Sequence, residues 1–208
     1  MSDKRNAGNV DLHGGQLCLD FVNTLDWRLS SQPQDLLLSY ADLVAWGRHV
    51  GVLSDAWARR LLGESRKSPA MADAVLKRAI ALRELVYRVF SSIAHGGTPG
   101  RQDIDRLNGA LSESLSRMRL VPAAASFEWD WDESDLSLER PLWYIVQAAA
   151  TLLTTGKLDR IRQCNDDNCG WLFFDASKNR SRRWCSMKDC GNRAKARRHY
   201  RKTKAKSD

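Results

Sequence analysis

Hydrophobic residues recur along most of this chain at helical spacing, so its first 156 residues read as a run of helices. In residues 15 to 29, Leu17, Phe21 and Leu25 step by four, with Cys18 and Val22 beside them, which predicts one helix. Residues 30 to 38, around Pro33, read as a loop. Ser39 and Ser54 each precede an apolar run and are expected to cap helices. The first covers residues 40 to 50, with Leu43, Val44 and Trp46 apolar, and the second runs through Trp57, Leu61 and Leu62. Gly51 ends the first. Ser68-Pro69, a capping serine before a proline at the first helical position, opens the longest run. Between residues 71 and 94, Val75, Ala79, Leu82, Val86, Val89 and Ile93 form a stripe that Leu76, Ile80, Tyr87 and Phe90 widen. A stripe so broad predicts a helix covered on more than one side, at the centre of the core. His95-Gly96-Gly97 closes it. Thr98-Pro99 then starts a helix through Ile104, Leu107, Leu111, Leu115 and Met118.

The period changes in residues 119 to 133, where Phe127, Trp129 and Trp131 alternate with acids. This stretch reads as a short β-hairpin. Its tryptophans, Trp129 and Trp131, offer either a dimer surface or a face that packs on the last helix. That helix opens at residues 137 to 141 and runs through Leu142, Ile145, Val146, Ala149, Leu152 and Leu153 to Gly156. Residues 158 to 163 are expected to form a strand paired with residues 171 to 174. Residues 175 to 182 read as a polar turn, and residues 194 to 202 have helix-forming composition.

Four of the five cysteines lie in this last part. Cys164 and Cys169 are spaced C-x4-C, fifteen residues follow, and Cys185 and Cys190 repeat the spacing. Two such pairs read as one tetrahedral four-thiolate site for a single structural Zn2+ per chain. The alternative is a pair of reduced or disulfide-linked hairpins. Each second cysteine is followed by glycine, Gly170 and Gly191, which suits a turn at positive φ. Trp171, Phe173, Phe174 and Trp184 are the expected small core beside the metal, which stands in for apolar area that so short a segment lacks. Cys18, on a helical stripe, reads as a small buried apolar residue rather than a nucleophile. The expected fold is therefore mostly α. A helical domain with one hairpin covers residues 1–156, and a zinc-ribbon-like module with short strands and a C-terminal basic helix covers residues 157–208.

Charge divides at the same place. Residues 1–156 carry 17 Lys and Arg against 19 Asp and Glu, a net of −2, and residues 157–208 carry 16 against 6, a net of +10. Zinc with four thiolates leaves about +8 there. Such asymmetry points to a polyanion, most often nucleic acid. Asn192 is placed to cap a helix on which Arg193, Arg197 and Arg201 step by four, with Lys195, Arg198 and Lys202 widening the band. This helix suits a DNA groove, and Lys178, Arg180, Arg182 and Arg183 on the preceding loop suit phosphates. The alternatives are a solubilising charged face, an RNA-binding zinc module or a protein-interaction module for an acidic partner.

The segment reading Cys-Gly-Trp-x-Phe, then Asp-x-Ser-x-Asn-x-x-Arg-Arg-Trp-Cys, then Cys190-Gly191-Asn192-Arg193, resembles the bacterial CGNR zinc finger. The stretch Leu17-Cys18-Leu19-Asp20-Phe21-Val22-Asn23-Thr24-Leu25 resembles the opening of the helical ABATE domain that precedes that finger. The resemblance implies a stress-responsive bacterial transcription regulator that binds DNA.

Asp20, Asn23 and Thr24, with Arg28, form either one wall of an effector pocket or hydrogen bonds that tie the first helix to its neighbours. The second reading is favoured. No catalytic residues are expected, since four thiolates leave zinc no open position and His13, His49, His95 and His199 form no constellation with a nucleophile. The polar N-terminus, the lack of a membrane-length run and the clustered cysteines fit a cytoplasmic protein without a membrane partner. A homodimer and a small-molecule effector are both compatible with this reading.

Overall fold

In the computed structural model, which describes residues 5–132, 134 and 136–204, the longest apolar stripe forms a 26-residue helix around which the other elements gather. In chain order the elements are α1 (Leu17–Val22), β1 (Leu25–Asp26), β2 (Gln34–Asp35), α2 (Tyr40–His49), α3 (Asp55–Lys67) and α4 (Pro69–Ala94). Then come α5 (Arg101–Leu115), β3 (Met118–Pro122), β4 (Phe127–Trp131) and α6 (Arg140–Thr155). A 3-10 turn (Leu158–Arg160) leads into β5 (Ile161–Gln163), β6 (Leu172–Phe174), a π-helical turn (Met187–Gly191) and α7 (Asn192–Lys204). Val75, Ala79, Val86, Val89 and Phe90 of α4 are fully buried, and α1, α2, α3, α5, α6 and the β5–β6 hairpin all pack on this helix. The stripe is broad because the helix is enclosed on several sides.

Local chemistry sets most boundaries. Ser39 and Ser54 accept from the backbone amides of Asp42 and Trp57 and cap α2 and α3, as their positions predict. Ser68 precedes α4 but makes no side-chain cap, and Pro69 alone marks the start. α5 begins at Arg101, behind Gly100, rather than at Pro99. Met118 belongs to β3, because the chain has by then turned into the hairpin.

The largest departure is at the first helix, which stops at Val22 instead of reaching residue 29. Asn23 breaks it. Its side-chain amide donates to the Leu172 carbonyl at 2.9 Å, and its carbonyl accepts from the Leu172 amide at 2.9 Å. An asparagine so engaged reads like one more residue of strand against β6. Leu25 and Asp26 then pair antiparallel with Asp35 and Gln34, so the expected loop contains a strand. Arg83 of α4, fully buried, holds that strand through a two-pronged ion pair with Asp35, both contacts at 2.7 Å.

The hairpin β3–β4 forms as expected, in the register Leu120 opposite Trp129. Its two tryptophans separate. Trp131 is buried against Trp143 and Tyr144 of α6, whereas Trp129 is 65% exposed beside Leu120 and Phe127.

The apolar core does not stop at Gly156. Ile161, Leu172 and Phe173 are fully buried in the same cluster as Phe21 and Val86. Gln163 of β5 accepts from Ser91 (3.1 Å) and Tyr87 (3.4 Å) of α4. The small separate core expected around Trp171, Phe173, Phe174 and Trp184 is thus an extension of the helical one. Asn23→Ala would leave a buried amide and carbonyl of Leu172 unpaired, and a loss of about 2–4 kcal/mol is expected in urea unfolding of the zinc-loaded protein. A loss below about 0.5 kcal/mol would show that the clamp is dispensable.

Candidate metal centre and its arginine shell

Cys164 follows β5 and Cys169 precedes β6, so the first pair is the mouth of a two-stranded hairpin. The Cys164 amide extends that ladder to the Trp171 carbonyl at 2.8 Å. Cys185 follows the polar turn, and Cys190 lies in the π-helical turn. The four sulfurs converge, with Cys169 to Cys185 at 3.6 Å, Cys185 to Cys190 at 3.5 Å and every pair within 4.8 Å. A tetrahedron with metal–sulfur bonds of about 2.3 Å has edges of about 3.8 Å, so one zinc fits at the centre. All four residues are buried.

The protonation chemistry also calls for a cation. Hydrogen bonds from Cys169, Cys185 and Cys190 hold the Cys164 thiol far below its ordinary value. Cys190, against an opposing bond to Cys164, is lowered by Cys169 and Cys185. Cys169 and Cys185 are pushed far up, each first through its bond with Cys164. Four thiols so close cannot all ionise unless a dication offsets the charge. The centre is a structural Zn2+ site held by Cys164, Cys169, Cys185 and Cys190.

The two glycines work differently. Gly170 has φ +72, as its position after Cys169 predicts. Gly191 is helical instead. A Cβ there would lie 2.6 Å from Sδ of Met187, near the far end of an exposed side chain. Asn192 likewise does not cap the basic helix. It donates back to the Lys188 carbonyl at 2.9 Å, because the chain is already wound in the π turn, which Ser186 caps through the Asp189 amide.

The basic residues fall into an inward and an outward set. Arg193 donates to the Cys190 sulfur at 2.9 Å and to Asp166 at 3.3 Å, and stacks over Trp27. Arg197 reaches the same Asp166 oxygen at 3.1 Å. Asp166 is almost wholly buried, so Arg193 and Arg197, two members of the step of four predicted to face a groove, meet the first metal knuckle. Arg182 donates to the carbonyls of Trp184, Phe174, His13 and Cys185 and lies over Phe173. Its guanidinium is used up in holding the loop to the N-terminal segment. Asp175 orders the same turn. Burial alone would raise its carboxyl, but bonds from Ser177 and the Arg182 amide outweigh this and hold it below the ordinary value. Arg180 is exposed and ion-paired with Asp159. Lys178, Arg183, Lys195 and Arg198 are exposed, and the side chains of Arg201 and Lys202 lie outside the described part.

The four residues considered for an effector pocket are bonded internally. Asp20 accepts from the Gly14 amide at 2.7 Å, and Asn23 clamps Leu172. Thr24 donates to the Phe21 carbonyl at 2.7 Å. Arg28 pairs with Glu84 and stacks at 4.0 Å on Tyr87. Cys18 is buried, and burial pushes its thiol up to about 12, which suits an unreactive core residue.

Replacing Asp166 with alanine removes the carboxylate that both arginines share, and zinc affinity is expected to fall about 10- to 100-fold in competition with a chromophoric chelator. Unchanged affinity would show that the arginine shell does not support the ligands. Burial raises the Asp20 carboxyl from 3.8 to about 6, against the pull of the Gly14 amide. A carboxyl raised on folding favours the folded state fully below its unfolded value and loses that contribution as pH rises through 6. Relative to Asp20→Asn, the wild type is expected to lose about 1 kcal/mol between pH 5 and pH 7, out of about 3 kcal/mol in all. Parallel stability curves would exclude Asp20 as the titrating group.

Comparison with protein families finds two matches. The model of ABATE, described as "putative stress-induced transcription regulator", covers residues 15–156. That of the CGNR zinc finger covers residues 160–203. Comparison with the curated proteins finds no match.

Proposed function

The chain belongs to the ABATE family of transcription regulators and carries a CGNR zinc finger, and from that premise we propose that it is a regulator whose finger binds double-stranded DNA. The observation that carries this reading is the division of the arginines. Arg182, Arg193 and Arg197 are half-buried and bonded within the protein, while Lys178, Arg183, Lys195 and Arg198 are exposed. Lys195 and Arg198 are three apart on α7 and share a face. A scaffold that holds its own basic residues inward and leaves a second set free supports contact with phosphates, with α7 as the groove helix. The +10 balance of residues 157–208 supports the same partner. Zinc acts structurally, since four thiolates close its coordination, and the protein is not an enzyme on this reading. Among the described residues no helix is long and apolar enough to cross a membrane.

The test needs the whole chain, because β5 and β6 are buried against α1 and α4 and the finger shares its core with the helices. Zinc-loaded protein titrated onto random-sequence duplex DNA should bind with log K falling against log salt at a slope near −5, the value for about six phosphates. A Lys195→Ala, Arg198→Ala protein should bind more weakly, with that slope reduced by about 2. Binding that is absent or independent of salt would overturn the proposal. Tighter binding to structured RNA at the same salt would replace DNA by RNA, since A-form RNA hides its major groove from a helix.

A further inference from the structure

Away from the metal, α4, α5 and α6 enclose a cleft of about 400 Å³. Its size falls within the range of small-molecule sites. It exists because α4 and α5 each turn an alanine, Ala81 and Ala110, toward a space that Leu82, Leu85, Leu142 and Val146 line without filling. The body of the cleft is therefore apolar.

The polar groups at this cleft are unevenly satisfied. Glu139 is buried and faces the Arg78 guanidinium as an ion pair, without the alignment of a hydrogen bond. Burial first, then a hydrogen bond shared with Glu113, raises the Glu139 carboxyl above its ordinary value. Glu139 thus has a cation beside it, though Oε1 accepts no hydrogen bond. Arg88 is held by Asp103 through three contacts of 2.8–3.2 Å. One cation is left, beside the Trp143 ring that forms part of the wall. Arg106 makes no hydrogen bond or ion pair among the described residues, although its charge is felt by Asp103. An arginine at the edge of an apolar cleft suits a carboxylate.

We propose that this cleft binds a small amphipathic carboxylate, an organic acid with one anionic head and an aromatic or branched apolar body. The head takes Arg106, and the body fills the space between the two alanines, against the Trp143 ring. The site lies apart from Asp20, Asn23, Thr24 and Arg28, and its occupation requires no nucleic acid.

The experiment uses full-length zinc-loaded protein without DNA, titrated with 3-phenylpropionate, with its uncharged amide and with acetate. The readout is the Trp143 indole N–H resonance, assigned by its disappearance in Trp143→Phe. The acid should shift it with a dissociation constant of about 10–100 µM. The amide should bind at least about tenfold more weakly, and acetate should cause no shift. Arg106→Ala, at an exposed position, should abolish the preference for acid over amide. Ala81→Trp, also exposed, should abolish binding of both while zinc content and Tm are kept. An indole resonance unmoved by about 10 mM of any probe would overturn the proposal. So would equal affinity for acid and amide, or an Arg106→Ala protein that keeps the preference.

Discussion

Four thiolates packed within 4.8 Å of one another repel, and a divalent cation at their centre converts that repulsion into the tie that holds residues 160 to 204 in place. The metal closes two chain segments far apart in sequence. One is the mouth of the β5–β6 hairpin, and the other is the π turn that feeds α7. The assembled centre keeps a net negative charge of two, and the inner arginines answer it. Arg193 reaches a sulfur directly, and Asp166 draws Arg193 and Arg197 together on the same knuckle. α7 is thus aimed by the metal and its shell, which decides which of its basic residues face outward.

The metal module is not an appendage. The amides of Arg28 and Leu29 donate to the carbonyls of Cys169 and Asn168, and Gly170 must lack a side chain because Leu29 sits against it. Asn23 grips β6 from the other side. α4 acts as the beam between the two halves. One of its faces carries Ala81, Leu85 and Arg88 on the cleft, and another carries Tyr87 and Ser91, which hold Gln163 of β5. Loss of zinc should therefore loosen the β1 loop as well as the finger.

Short-range features follow from the sequence without the tertiary structure. Ser39 and Ser54 cap helices because the partner amide is three residues away. The α4 stripe, the alternation in residues 127 to 131 and the two C-x4-C pairs are likewise repeats within a few residues. Where reading by spacing failed, a distant partner intervened. Leu25 continues the apolar period of α1, yet Asn23 leaves the helix for a strand 149 residues away. Arg83 lies on the α4 stripe and is buried because Asp35 meets it there. The step of four on α7 located one face of arginines but not the direction in which that face points.

The sequence by itself determined the helical plan, the hairpin, the four ligands and the sign of the charge on the last 52 residues. Each follows from periodicity, chelate spacing or composition, which act locally or need no geometry. Only the tertiary structure decided the end of α1, the merging of the two cores and the helical backbone at Gly191. It also sorted the arginines into those spent inside and those left outside. These depend on which groups meet across long loops, where one buried partner outweighs any preference of the local chain.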